Sequence, residues 1–277
     1  MAQSPWTITS IVKTNSGWET TEVIQAGVVV LREAPLLKLP YNHTSQQLFS
    51  ALGGANIDWS IFPRPILNDD SNRTIFEFYA VKFGDEVGLF RVASRLSRSY
   101  TPNLSKYWNG QFLEYRASRC ISTNEELVSP PFSVLAILQN RCLRSNNWHT
   151  IQPQPECQYC TSMPTDRSQT IRGGLDRILH QNGLSPDPKK RISQIEGALR
   201  FLAEERIEYF KDKLLHQKSK AHKELDQLNN AMLSLREAKR QSRLMIGPDD
   251  RRLSDLVREE EELEREMQSR VFAVPPR

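Results

Sequence analysis

Apolar and polar positions divide the chain into two regimes. In the first half, apolar residues come in short runs: Thr7 to Lys13, Trp18 to Glu22 and Val28 to Leu31. These runs are rich in β-branched and aromatic residues, which favour a half-buried pleated surface, and they predict three short strands. Asn15-Ser16-Gly17 predicts a turn between the first two, and Ala26-Gly27 separates the second from the third. Ser45 to Leu52 predicts a short helix capped by Ser45 and ended by Gly53-Gly54. Ile57 to Pro65 is aromatic and proline-bearing, which predicts loop or sheet edge, and Thr74 to Phe83 fits strand or helix. Ser133 to Arg141 predicts a helix, with Val134, Leu135, Leu138 and Cys142 on one stripe.

The second regime is helical. The polar stretch Thr161 to Pro188 reads as a linker holding one short helix, Leu175 to His180. Ser185-Pro186-Asp187-Pro188 is a helix start signal. Beyond it Ile195, Leu199, Leu202, Phe210 and Leu214 recur at helical spacing, and Ala221, Leu225, Leu228, Met232 and Leu235 follow the 4-3-4-3 spacing of a coiled-coil seam. Gly197 is the only proline or glycine from Lys189 to Ile246. That predicts an unbroken helix about 85 Å long at roughly 1.5 Å per residue. Gly247-Pro248-Asp249-Asp250 breaks it, and Arg251 to Arg270 predicts a second helix with Leu253, Leu256, Leu263 and Met267 on one face. A hairpin within one chain and a dimer through these helices both satisfy the pattern.

Composition narrows the class. Lys+Arg 37 against Asp+Glu 33 in 277 residues leaves a net charge of +4, interspersed and not gathered in a basic tail. Nucleic acid, which calls for a clustered basic face, is therefore not the expected partner. No run resembles a signal peptide or a membrane span, so the expected compartment is nucleus or cytoplasm, with no membrane partner. The four cysteines, Cys120, Cys142, Cys157 and Cys160, are expected as thiols or metal ligands in a reducing compartment.

Two stretches carry a resemblance. From Gly88 to Phe132, the positions Gly88-Leu89-Phe90, Ala93-Ser94-Arg95-Leu96, Pro102-Asn103, Arg116-Ala117, Arg119, Ile121 and Glu125-Glu126-Leu127 fall in register with the C-terminal half of a SET domain. Gly17 to Leu37 is similar to an earlier part of the same family, most closely in fungal forms and in relatives that also carry a MYND finger; four cysteines are too few for that finger. The resemblance implies an α+β fold of small curved β-sheets over residues 7–165; composition and spacing add a linker over 166–188 and a long helical-hairpin or coiled-coil arm over 189–277. It also implies the class of S-adenosylmethionine-dependent protein lysine methyltransferases, with a histone or another protein as substrate.

The frame is kept and its chemistry is mostly replaced. The resemblance places Gly17 and Trp18 in the cofactor-binding turn, with Glu19 where the family has a second glycine. Ser97 and Arg98 stand at the family's cofactor-binding Asn-His pair, Tyr100 at a cysteine and Pro131 at the catalytic tyrosine, so no residue here is assigned a catalytic role. Tyr107 and Tyr115 read as sheet aromatics. Cys157 and Cys160 keep the last C-x-x-C of the family's zinc site, with Pro155 and Tyr100 at the other two ligand positions and Cys142 and His149 nearby in sequence. The candidate cofactors the resemblance implies are S-adenosylmethionine at Gly17, Trp18, Ser97 and Arg98 and zinc at Cys157 and Cys160, with most of both sites replaced. The leading expectation is a catalytically impaired member that serves as a protein-interaction module. A divergent but active protein lysine methyltransferase and a coiled-coil scaffold are the alternatives.

Overall fold

The computed structural model describes residues 6–8, 11–14, 17–62, 72–83, 85–99, 101–130, 137, 166–180, 183–247 and 250–272. The chain is α+β and divides into two compact units, Met1–Thr170 and Ile171–Arg277.

The first unit is built from short strands. In chain order they are β1 (Trp6–Ile8), β2 (Ile11–Lys13), β3 (Trp18–Thr20), β4 (Val29–Glu33), β5 (Leu37–Pro40), β6 (Val81–Phe83), β7 (Glu86–Leu89), β8 (Ser97–Arg98), β9 (Leu104–Trp108), β10 (Leu113–Ala117) and β11 (Val128–Ser129), with helices α1 (Ser45–Gly54) and α2 (Asn72–Tyr79). The largest sheet has the order β1-β4-β10-β9 and is antiparallel throughout. A register shift between Tyr115 and Arg116 bends β10 against β4. The order β5-β7-β6 makes a second antiparallel sheet, β2 and β3 form a hairpin pair, and β8 and β11 pair in parallel. The run from Thr7 to Lys13 therefore splits between two sheets: its start pairs with β4 and its end with β3.

Alternation on β9 and β10 puts Leu104, Leu113, Tyr115 and Ala117 on one face, where they are buried with Leu31, Val81, Phe83 and Phe90. Phe83 lies 4.3 Å from Trp108 and 5.5 Å from Phe90 between ring centroids. Leu104, Leu113, Ile121 and Phe90 are all 0 % exposed, and each contributes roughly 1.5–3 kcal/mol by burial, so the unit's stability is concentrated on this face.

The two stretches singled out in the sequence run side by side. Leu127 N–H donates to Trp18 O (2.7 Å), Thr20 N–H to Glu125 O (3.2 Å), Ile24 and Ile121 exchange both bonds at 2.9 Å, and Gly27 N–H donates to Ala117 O (2.7 Å). Residues 18–28 are thus zipped antiparallel to 117–127.

Local expectations are refined. The cap of α1 is Thr44, not Ser45: its hydroxyl accepts the Gln47 N–H (3.2 Å) while the Gln47 side chain accepts the Thr44 N–H (2.8 Å), a capping box. The segment 74–83 contains both candidate structures in succession, the end of α2 and then β6. The predicted helix from Ser133 to Arg141 lies almost wholly outside the described residues.

The second unit is helical: α3 (Asp166–His180, which crosses the boundary), α4 (Pro188–Glu204), α5 (Lys211–Glu224), α6 (Leu228–Ile246) and α7 (Arg251–Phe272). Helix α3 starts earlier than the short helix predicted from Leu175, running through Gly173-Gly174. The start signal is used as read: Asp187 caps α4, accepting the Lys189 N–H at 3.0 Å, with Pro188 in the first turn.

The unbroken helix expected from Lys189 to Ile246 is instead three helices. Both breaks are Schellman motifs whose left-handed residue is not glycine. At the first, Arg206 (φ 54°) donates to Ala203 O at 3.1 Å and Ile207 to Leu202 O at 2.8 Å. At the second, Asp226 (φ 60°) donates to Lys223 O at 3.0 Å and Gln227 to His222 O at 2.9 Å. A left-handed non-glycine residue costs roughly 1–2 kcal/mol. Burial of Leu202 and Ile207, both 0 % exposed, offsets it at the first break. The seam from Ala221 to Leu235 therefore spans two helices. Leu228, Met232 and Leu235 pack against Leu256 and Leu263 of α7 in the same chain. Glu260, 8 % exposed, bridges Arg236 and Lys239 of α6. No helix among the described residues is long and apolar enough to cross a membrane.

Candidate functional site

The site assembles where the two zipped stretches meet. Gly17 precedes β3 and is held by Thr14, whose N–H donates to Gly17 O (2.8 Å) and whose hydroxyl accepts the Gly17 N–H (3.3 Å). A Cβ on Gly17 would stand 2.8 Å from Glu126 Oε1 and 3.3 Å from Ser97 Oγ. Those two side chains are bonded to each other: Ser97 Oγ donates to Glu126 Oε1 at 2.5 Å. The space a Cβ would take is occupied by the end of the protein's own Glu126 side chain, which a larger residue would have to displace. Gly17→Ala is expected to swing Glu126 aside and break its bond to Ser97, costing about 1 kcal/mol in urea unfolding. An unchanged midpoint would mean the close approach does not exist.

Asn103 fixes the Glu126 segment. Its side-chain amide donates to Glu126 O (2.8 Å) and Glu125 Oε1 (3.0 Å), and its carbonyl oxygen accepts the Val128 N–H (2.9 Å). Arg119 pairs with the same Glu125 oxygen at 2.6 Å. These contacts hold the Glu125 carboxyl below its usual range against the burial that opposes them.

Trp18 is half-buried against the core, and the Arg95 guanidinium sits 5.6 Å from its ring centroid. Arg95 is tied down by Arg91 O (2.6 Å) and Ile61 O (3.2 Å). Its loop is positioned by Glu33, a β4 carboxylate only 2 % exposed, which accepts the N–H groups of Val92 (3.0 and 3.1 Å) and Ala93 (2.9 Å). Burial pushes the Glu33 carboxyl up, and the backbone donors and Arg95 pull it back.

Burial lowers the Arg98 guanidinium to about 10, while Tyr115 and Tyr79 act in the opposite sense. Lys106 on β9 lies directly across the strand pair from Tyr115. Burial first, then the positive charges of Arg98 and Lys82, bring its amine down to about 7. Burial pushes the Tyr115 hydroxyl up, so it keeps its proton at neutral pH. The Lys82 ammonium lies 3.5 Å from the Tyr41 ring centroid.

Of the four cofactor-binding residues expected from sequence, Gly17 and Ser97 meet at Glu126, Trp18 sits under Arg95, and Arg98 is half-buried on β8. Cys157 and Cys160 lie outside the described residues, as do Cys142, His149, Tyr100, Pro155 and Pro131. Among the described residues no group of three or more His, Cys, Asp or Glu could hold a metal ion. Lys106 was missed by sequence reading. The signal for it is the alternation Leu104, Lys106, Trp108, which places a lysine between two apolar residues on the core face of one strand. No protein-family model matches the chain, and no curated protein matches it.

Proposed function

We propose that the chain is a SET-like protein, related in fold to S-adenosylmethionine-dependent protein lysine methyltransferases, that is catalytically impaired and acts as a protein-interaction module. The observation that carries this reading is the closed approach at Gly17. A cofactor-binding glycine leaves its Cβ space to the ligand; here the Ser97–Glu126 pair takes it. With Glu126 in that place, the turn at Gly17 does not fit S-adenosylmethionine. Arg98 supports the reading in the same way. It brings a half-buried positive charge where the cofactor's sulfonium would already be positive, and like charges repel. The zipped pair 18–28 and 117–127 supports the family assignment, because both resembling stretches supply it. Seam residues Leu228, Met232 and Leu235 of the second unit pack against α7 of the same chain, which favours the hairpin over a dimerising coil.

Calorimetric titration of the full chain with S-adenosylmethionine tests this. The expected result is no saturable heat up to millimolar cofactor from a protein shown to be folded. Saturable binding at micromolar concentration overturns the impaired reading and restores the divergent methyltransferase.

A further inference from the structure

The second unit carries a cleft of about 380 Å³, walled by the last turn of α3, the segment between α3 and α4, and one face of α5. Ile178, Leu179, Leu184 and Leu214 make its apolar lining. The wall at Ser185-Pro186 is fixed by Arg191, whose Nε donates to Ser185 O (3.0 Å) and whose Nη2 donates to Pro186 O (2.9 Å). The Glu224 carboxylate, 2.7 Å from Arg191 Nη1, holds the guanidinium in place, and the Ser185 N–H donates to Gln194 Oε1 at 2.9 Å. From α5 come Lys213, His216 and Gln217, one helical turn apart. Glu259 of α7, 2.6 Å from His216 Nε2, sets the imidazole and leaves Nδ1 without a partner among the described residues. Lys213 and Gln217 have no hydrogen bond or ion pair among those residues either. No carboxylate lines the cleft.

We propose that this cleft binds a small amphipathic carboxylate, an aryl- or alkyl-substituted acid whose charge is held by Lys213. A concave site that is mostly apolar, with a few convergent polar groups on rigid elements, is the usual form of a small-molecule site. At roughly 30 Å³ per water-sized group, the volume sets the ligand at about a dozen non-hydrogen atoms. The apolar lining takes the alkyl or aryl end. Of the basic residues that line the cleft, Arg191 is committed to its wall and to Glu224, and His216 to Glu259. The exposed Lys213 ammonium is uncommitted, so one negative charge at the rim is matched, with the Gln217 amide and His216 Nδ1 beside it as further polar contacts. A neutral amphiphile leaves Lys213 unanswered, and an anion without an apolar end leaves the lining wet. The cleft lies wholly in the second unit, so this goes beyond the interaction reading and does not depend on it.

The test uses 3-phenylpropanoate, a probe of this size, titrated into the full chain by calorimetry. A second measurement locates it: the chain is acetylated with N-acetoxysuccinimide, with and without the probe, and labelled peptides are read by mass spectrometry. Saturable binding is expected with Kd of about 0.1–1 mM, the range of a ligand this small. With the probe at about ten times Kd, acetylation of Lys213 should slow about tenfold, while the exposed Lys189 and Lys220 stay unchanged. Acetate and 3-phenylpropan-1-ol each lack one half of the ligand and should bind about tenfold more weakly or worse. Lys213→Gln, at an exposed position, should weaken the acid about tenfold and leave the alcohol unchanged, the effect of one lost charge-assisted hydrogen bond. No saturation up to about 10 mM, equal binding of acid and alcohol, or binding that leaves Lys213 unprotected overturns the proposal. No S-adenosylmethionine enters this experiment, so its failure and the failure of the cofactor titration are separate results.

Discussion

Lys106→Met is expected to stabilise the protein at pH 7 by about 3 kcal/mol, with the gain shrinking as pH rises. The amine falls from its ordinary 10.5 to about 7, a difference worth roughly 5 kcal/mol at full strength. The side chain is only half-buried, and solvent screening reduces that to about 3 kcal/mol. Methionine has the length to fill the same space between Leu104 and Trp108 without a charge. Between pH 7 and 10.5 the unfolded chain holds a proton on Lys106 that the folded chain has released, so wild-type stability rises with pH across this window. The variant lacks this rise. Urea unfolding at pH 7 and pH 9.5 measures both arms, and comparison with wild type removes the contributions of Arg98 and Tyr115. Parallel pH dependence in the two proteins would show that Lys106 is not desolvated.

The expected gain has a corollary. A half-buried amine under the influence of two other cations costs stability that a neutral residue of equal size would not. Protein interiors retain such groups chiefly where chemistry uses them.

What was legible in the sequence follows the reach of each signal. The start of α4 was readable because Asp187 and Pro188 act within one turn, and Gly247 and the apolar stripe of α7 were readable for the same reason. Gly17, Ser97 and Glu126 stood out as framework or replaced positions, but their mutual contact was hidden, because nothing local says that a side chain 109 residues later fills a glycine's space. The breaks after Glu204 and Glu224 were not legible. The left-handed residues are Arg206 and Asp226, and the forces that hold them are tertiary. The segment 74–83 gave mixed periodicity because it contains a helix end and a strand with a single residue, Ala80, between them. Lys106 was legible in principle and was masked by its own charge, since a lysine in a strand reads as solvent-facing until the register of its neighbours is followed.

Asn103→Ala is expected to destabilise the protein by about 3–4 kcal/mol, the largest loss of any single substitution discussed. The side chain is 0 % exposed and makes three bonds, to Glu125 Oε1, Glu126 O and the Val128 N–H. Truncation leaves the Val128 N–H and the Glu126 carbonyl buried without their partner, and each such group costs roughly 1–3 kcal/mol. The effect spreads along the chain. Residues 125–128 supply the Glu126 carboxylate that meets Ser97 and the Leu127 N–H that donates to Trp18 O, so loosening them opens the zip at its Gly17 end. Hydrogen exchange at the Leu127 and Val128 amides should accelerate by more than about a hundredfold, since every 1.4 kcal/mol is about tenfold, and the melting temperature should fall by about 8–12 °C for a chain of this size. Asn103→Asp separates the bonds from the volume. It keeps the size and the acceptor for Val128 but replaces the donor with a negative oxygen facing Glu125 Oε1 and Glu126 O, so it should be at least as damaging as alanine near pH 7 and partly recover as pH falls through the carboxylate range. An aspartate variant as stable as wild type at pH 7 would mean that the amide is not what clamps this segment, and the closed approach at Gly17 would then need another support.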